Sequence, residues 1–81
     1  MLKDKLRHYI LENFLFSDNP ADLGDDDSFM EKEIIDSTGI LEVIEFLEEE
    51  TGIAIEDEEM VPENLDSVNR IVRFVERKQQ G

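Results

Sequence analysis

The sequence contains no cysteine and no tryptophan, and His8 is its single histidine. Without cysteine, neither a disulfide framework nor a thiolate metal site can form, so any thiol chemistry must come from an added group. No uncharged run approaches the roughly 20 apolar residues of a membrane-spanning helix, and charges interrupt the N-terminal segment where a signal peptide would be apolar. A cytoplasmic protein is therefore predicted.

Basic residues are also scarce, since 8 Lys and Arg stand against 22 Asp and Glu and give a formal net charge of −14. Such a surface repels nucleic-acid phosphates and anionic lipids, and it attracts basic protein surfaces. The charge could instead serve solubility alone. Intrinsic disorder is disfavoured because 40% of the residues are hydrophobic and recur periodically. We expect neither nucleic acid nor a membrane as a partner.

An amphipathic helix is predicted over residues 2–16, because apolar residues recur there on one helical face. These residues are Leu2, Leu6, Tyr9, Ile10 and Phe14. The stretch from Ser17 to Ser28 contains Asn19-Pro20, Gly24 and three consecutive aspartates, so it is predicted to be a long loop. Four apolar residues that follow are expected to hold the second half of this loop against the core: Phe29, Met30, Ile34 and Ile35.

A second helix is predicted to begin near Asp36 or Ser37, since both are good N-cap residues. Its apolar face continues through Ile40, Val43, Ile44 and Leu47. The helix is expected to stop at Thr51-Gly52, where glycine suits a C-cap. Gly39 in its first turn costs about 1 kcal/mol relative to alanine if it is helical.

Two further helices complete the predicted fold. Pro62 favours the start of a short third helix, and either Asp66 or Ser67 is expected to cap the fourth. The fourth helix has its apolar face at Val68, Ile71, Val72 and Val75. Because residues 53–55 are too short to found a sheet, the predicted fold class is all-α. We expect one domain over residues 1–81, a four-helix bundle with a short third helix and a long loop between helices 1 and 2.

No residue set typical of catalysis or of a metal site is found. His8 lies at a polar position of the first helix with no local partner to make it a general base, so it is interpreted as a surface residue. The aspartates between Asp18 and Asp27 do not fit the EF-hand register, and at most weak, nonspecific cation binding is expected there. The protein is predicted not to be an enzyme.

The second helix is predicted to have an acidic face opposite its core face, made of Thr38, Glu42, Glu45 and Glu49. Leu41 and Phe46 flank this face, where a solvated helix would usually carry polar residues. The arrangement suits docking of a basic protein, because charge attracts the partner and the apolar flanks hold it. Alternatively, both apolar residues could pack against neighbouring loops.

Ser37 is the candidate modification site. It stands between Asp36 and Thr38 at the start of the second helix, where we expect its hydroxyl to be accessible. The helix N-terminus would partly stabilise the negative charge of an attached phosphodiester. Plain N-capping by this serine, worth about 1 kcal/mol, is the alternative that these residues alone favour.

The segment from Ile35 to Ile53 resembles the Asp-Ser-Leu site and the following recognition helix of acyl carrier proteins. The resemblance continues through Ile55, Glu58 and residues 62–78, and it implies a four-helix bundle of the acyl carrier type. Ser37 would carry a covalent 4′-phosphopantetheine, and Asp36 would help a transferase hold magnesium and coenzyme A. By the same resemblance the partner-docking carboxylates would be Glu42, Glu48 and Glu49, with Glu45 a further candidate on the same face.

Two departures refine this expectation. Thr38 replaces the leucine that usually follows the serine, and Ile34-Ile35 replaces the usual Gly-x before Asp36, which disfavours a housekeeping fatty-acid role. The Asp-Ser-Thr-Gly form, together with residues 62–68, is more similar to stand-alone specialised carriers. The expected partners are a phosphopantetheinyl transferase, an AMP-forming acyl or aminoacyl ligase and downstream acyl-processing enzymes, and the protein is expected to be a monomer. The alternative function is an unmodified acidic adaptor that binds a basic protein.

Overall fold

The computed structural model of the protein describes residues 1–80. It contains four α-helices: α1 (Leu2–Ile10), α2 (Gly39–Thr51), α3 (Pro62–Leu65) and α4 (Val68–Gln80). Short 3-10 turns occupy Pro20–Asp22 and Asp57–Glu59. No strand occurs within residues 1–80, so the predicted all-α bundle with a short third helix and a long first loop is confirmed. None of these helices combines the length and apolar composition needed to cross a bilayer.

The first helix has nearly the predicted length but changes its hydrogen bonding near its end. After Ile10 the chain continues as a π-helical turn, Leu11–Leu15. Phe16 ends the turn in the left-handed region with φ 51°, and the N–H groups of Phe16 and Ser17 both donate to the carbonyl of Leu11. Leu11, which the predicted apolar face omits, is buried.

A single hydrophobic cluster joins the four helices and the long loop. Its fully buried members are Leu6, Ile10, Leu23, Phe29, Val43, Leu47, Val68, Ile71 and Val75. The predicted apolar faces of α2 and α4 therefore lie in this cluster, with Ile40 and Val72 only partly buried. Phe74, which the predicted face of α4 omits, is buried as well.

The second half of the loop is held against the core as predicted, except at Met30. Phe29 and Ile35 are buried and Ile34 packs partly against the core, whereas Met30 is 62% exposed. The prediction for Met30 was wrong because residues 28–33 form a helical turn, closed by the bond from Lys32 N–H to the Ser28 carbonyl. Successive side chains of such a turn differ in direction by about 100°, so Met30 points outward when Phe29 points inward.

The helix termini follow their predicted local chemistry. Gly52 ends α2 with φ 73°, and Pro62 is the first residue of α3. For α4, Ser67 is the cap, since its Oγ accepts from the N–H of Arg70 at 3.2 Å. Asp66, the other predicted cap, instead holds the loop, because its carbonyl and carboxylate accept from the N–H groups of Phe29 and Met30 at 2.8 and 3.1 Å.

The aspartates of the long loop are engaged in contacts within the chain. Asp25 forms ion pairs with Lys3 at 2.7 Å and Arg7 at 2.6 Å, and its carbonyl accepts from the N–H of Asn69. The Asp27 carboxylate accepts from the N–H of Gly24 at 2.8 Å. No group of three His, Cys, Asp or Glu side chains within residues 1–80 is placed to hold a metal ion. Asp25 therefore ties the loop to α1 and α4, whereas Asp27 makes a contact within the loop.

His8 lies on the exposed side of α1, where sequence reasoning placed it. It does have a local partner, which that reasoning missed: its Nε2 is 3.0 Å from Oε1 of Glu12, one helical turn along the chain.

We predict that the Asp25 ion pairs make stability depend on pH. The pKa of Asp25 is held below its ordinary value, mainly by its hydrogen bond with Lys3 and further by Arg7. A depressed folded-state pKa contributes stability that is present above the unfolded pKa, near 4, and is lost as pH falls through the folded value. Asp25→Asn should therefore lower the free energy of unfolding by about 0.5–1 kcal/mol at pH 7, after allowance for solvent screening.

Urea unfolding at several pH values tests this prediction. The difference between Asp25→Asn and the unaltered protein should shrink below about pH 4 and vanish once Asp25 is protonated. Asp18→Asn makes the same charge change at an exposed loop position and should show no such loss. A difference for Asp25→Asn that stays constant with pH would contradict the prediction.

Candidate functional site

The start of α2 is organised by Asp36. Its Oδ1 accepts a hydrogen bond from the N–H of Gly39 at 2.6 Å, and its carbonyl accepts from the N–H of Ile40 at 3.0 Å. A side chain that accepts from the third residue after it, while its carbonyl begins the helical series, acts as an N-cap. Of the two residues that the sequence left open, Asp36 is therefore the cap: Ser37 and Thr38 form a turn that leads into α2, and Thr38 makes no side-chain capping bond.

Ser37 is exposed and is followed by the exposed Thr38. Because Asp36 supplies the capping oxygen, the serine hydroxyl is not required to close the helix. Ser37 thus lies at the N-terminal end of a 13-residue helix, where the partial positive charge of the peptide dipoles favours a bound or attached anion.

Gly39 has a packing role that its low helix propensity conceals. It is buried, and a Cβ added there would lie 2.7 Å from Cε1 of Phe14 and 3.1 Å from Cγ2 of Ile35. Such distances are too short for unstrained carbon contacts. The absence of a side chain therefore lets Phe14, from the end of the first helix, pack directly against the turn that carries Ser37.

A mostly apolar cleft of about 220 Å³ opens beside Ser37. Its walls come from residues 29–36, α2, residues 60–61 and α3, and they include Met30, Ile40, Met60, Val61 and Leu65. Sequence reasoning missed this cleft because three of these residues lie in irregular segments without apolar periodicity. The outward orientation of Met30 is what places its side chain in the wall.

The acidic face of α2 is exposed as the helical projection predicts. Glu42, Glu45 and Glu49 are all exposed, and none of them takes part in the ion pairs found within residues 1–80. Beneath them lies Tyr9, whose phenol pKa is raised by burial and then by the charges of these three glutamates. The face therefore presents three unneutralised carboxylates to the surroundings.

The two apolar flanks of this face differ. Leu41 is 53% exposed. Phe46 is half-buried and its ring stacks on Tyr9, with centroids 4.3 Å apart and planes inclined by 17°. The alternative that the sequence left open was packing of both residues against neighbouring loops; Phe46 does pack within the chain, but on Tyr9 of α1, and Leu41 stays exposed.

Glu48 is oriented away from the other candidate carboxylates. It is half-buried, and its Oε2 accepts from the N–H of Ile55 at 3.0 Å. This bond fixes the extended segment after α2 against the helix. The structure therefore brings Glu42, Glu45 and Glu49 together on one face, and it gives Glu48 a structural contact.

Comparison with known proteins adds an independent observation. No protein-family model matches the chain. The chain is similar to a protein described as probable acyl carrier protein PigG from Serratia sp. (strain ATCC 39006), with 31% identity over 77 residues. The alignment covers 95% of this chain and 87% of that protein, so the similarity includes the whole Ser37 region.

We predict that Asp36, and not Ser37, contributes capping stability. Asp36→Ala removes the capping oxygen and should lower the free energy of unfolding by about 1 kcal/mol, whereas Asp36→Asn keeps an acceptor and should cost much less. Ser37→Ala is the matched control at the neighbouring position and should change stability by less than about 0.5 kcal/mol. Urea denaturation measures all three, and an equal loss for Ser37→Ala and Asp36→Ala would contradict the assignment of the cap.

Proposed function

Since this chain belongs to the acyl carrier protein family, we propose that it carries acyl or aminoacyl groups as thioesters on a 4′-phosphopantetheine attached to Ser37. Residues 1–81 would form one carrier domain, and the chemistry on the cargo would be done by partner enzymes. The observation that carries this proposal is the exposure of Ser37 at a helix start already capped by Asp36.

The residues around Ser37 suit attachment of the group. In the loading reaction the Ser37 Oγ would attack the phosphorus of coenzyme A adjacent to pantetheine, the phosphodiester would form, and 3′,5′-ADP would leave. The serine proton would pass to a base of the transferase. The start of α2 favours the new negative charge. The chain contains no cysteine, so the attached group supplies the thiol that bears the cargo.

Asp36 would have two roles in this scheme. Its Oδ1 is bonded to the N–H of Gly39, and its second carboxylate oxygen is left to help the transferase hold magnesium and coenzyme A. Because the cap fixes the carboxylate next to Ser37, both groups would meet the transferase in one orientation. The family resemblance suggests this role, and the cap geometry is compatible with it.

Partner enzymes would dock on α2. Glu42, Glu45 and Glu49 would attract basic surfaces, and Leu41 beside Thr38 would provide apolar contact. Phe46 and Glu48 would contribute mainly by holding the helix in place, given their contacts with Tyr9 and Ile55. Tethering raises the effective concentration of the cargo at each enzyme, and weak docking lets partners exchange quickly.

The proposed pathway is a specialised one. Thr38 replaces the apolar residue that fatty-acid-synthase partners engage, so we place this carrier with an AMP-forming acyl or aminoacyl ligase and downstream acyl-processing enzymes. The relative PigG is itself described as a probable acyl carrier protein, which supports the carrier role.

We predict that Ser37 accepts the prosthetic group. Incubation with coenzyme A, Mg²⁺ and a promiscuous phosphopantetheinyl transferase should raise the intact mass by one phosphopantetheinyl group. Ser37→Ala should show no gain, while Ser17→Ala should gain normally. An unchanged mass, or a gain that persists in Ser37→Ala, would refute the carrier role and leave the unmodified acidic adaptor as the function.

We further predict that the acidic face of α2 controls loading. Glu42→Lys combined with Glu49→Lys should lower the transferase kcat/KM about tenfold at low ionic strength, because steering and docking both depend on these charges. Raising the salt concentration should reduce the rate for the unaltered protein and narrow the difference.

Glu12→Lys combined with Glu58→Lys is the matched control, since both residues are exposed outside α2. This pair makes the same change in net charge and should leave most of the rate. Equal losses in the two double variants would mean that net charge alone, and not the α2 face, governs loading.

A further inference from the structure

The cations that no carboxylate neutralises are concentrated on one helix. The chain has eight Lys and Arg residues. Within residues 1–80, five of them lie within ion-pair distance of a carboxylate: Lys3, Lys5, Arg7, Lys32 and Lys78. The remaining three are Arg70, Arg73 and Arg77, and all belong to α4. In so acidic a protein, this segregation calls for a physical explanation.

The three arginines form a row along α4. Their spacing of three and four residues places them on one face of the helix, over a length of about 10 Å. They line one open groove of about 600 Å³, together with Asn64 of α3. Glu63 and Glu76 also line the groove but form no ion pair with the arginines.

The outer two guanidinium groups are held apart by separate acceptors on α3. Arg70 Nη1 donates to the carbonyl of Pro62 at 3.2 Å, and Arg77 Nη2 donates to Oδ1 of Asn64 at 3.1 Å. Each guanidinium keeps further N–H groups for a ligand, since it has five. Arg73, between them, is exposed. The groove therefore presents a spaced row of cations in place of one converging cluster.

A spaced row fits an array of carboxylates better than a single tetrahedral anion, which could not bridge the two outer guanidinium groups that α3 holds apart. Guanidinium forks match carboxylates in bidentate geometry. A long nucleic acid is disfavoured, because the net charge of −14 repels a polyanion. A second copy of this chain does carry Glu42, Glu45 and Glu49 at the matching spacing, but it also carries the same repelling net charge.

We propose that the arginine row of α4 is a second docking surface, which binds an acidic helix, with carboxylates at i, i+3 and i+7, on a partner protein whose own net charge is not strongly negative. This surface is distinct from the acidic face of α2. The α2 face would bind a basic surface of a partner, whereas the arginine row would bind an acidic helix. The proposal goes beyond the carrier function and does not require Ser37 to be modified.

The test uses a synthetic helical peptide with glutamates at i, i+3 and i+7, titrated into the ¹⁵N-labelled protein at low ionic strength. We expect saturable chemical-shift changes at residues 70–77. Arg73→Gln should weaken binding about fivefold, as expected for loss of one charged contact. A peptide with glutamine at the same positions should not bind. Arg73 has no ion pair within residues 1–80, so its variant should melt at an unchanged temperature.

Gln79→Glu is the matched control. It makes the same change in net charge on α4, but it follows Arg77 by two residues and so points away from the row. We expect its affinity to stay within about twofold of the unaltered protein, because most of the effect is local. Equal weakening in both variants would overturn the proposal, as would shifts centred on α2 or an absence of shifts.

Two further measurements distinguish the acidic helix from two other possible occupants of the groove, a simple anion and a second copy of the chain. Inorganic phosphate that produced the same shifts and displaced the peptide at low millimolar concentration would identify a simple anion site and overturn the proposal. Sedimentation that revealed a concentration-dependent dimer, abolished by Arg73→Gln and by Glu45→Gln, would make a second copy the occupant and overturn it as well.

Discussion

The hydrogen bond from the N–H of Gly39 to the carboxylate of Asp36 organises the start of α2, beside the proposed modification site Ser37. A helix start leaves about four N–H groups without a partner inside the helix, and a side chain must satisfy some of them. Asp36 does so here, which leaves the hydroxyl of Ser37 exposed at the positive end of α2. The bond is helped by the absence of a side chain at Gly39, since an added Cβ would collide with Phe14 and lie 3.2 Å from the capping oxygen itself.

The negative charge of the protein is available to partners only at carboxylates that no lysine or arginine of the chain neutralises. All four lysines form ion pairs within residues 1–80, as Lys3 does with Asp25 and Lys78 with Glu59. These pairs hold the loops, and within residues 1–80 they leave Glu42, Glu45 and Glu49 of α2 unpaired. The net charge of −14 therefore describes the molecule poorly, because α2 presents a row of carboxylates and α4 presents a row of guanidinium groups.

Features with a local cause could be predicted from the sequence, and those that depend on tertiary packing could not. Gly52 and Pro62 mark helix ends through their own backbone preferences, so these boundaries were predicted correctly. Met30 was misplaced because the turn of residues 28–33, which is bonded to the distant Asp66, rotates its side chain outward. The packing of Phe46 was left open because its neighbour Tyr9 is distant in sequence. The Ser37 cleft was missed because its walls come from segments that are distant in sequence. The acidic face of α2 was predictable because helical periodicity alone defines it.

The short helix α3 has a consequence for the Ser37 cleft. Four residues are far too few for a helix to be stable by itself, and α3 is secured by buried Leu65 and by side chains reaching from α4. Pro62 takes part on both sides, since its carbonyl accepts from Arg70 and the residue also lines the cleft. The wall beside Ser37 therefore depends on contacts that α4 makes with the opposite side of α3.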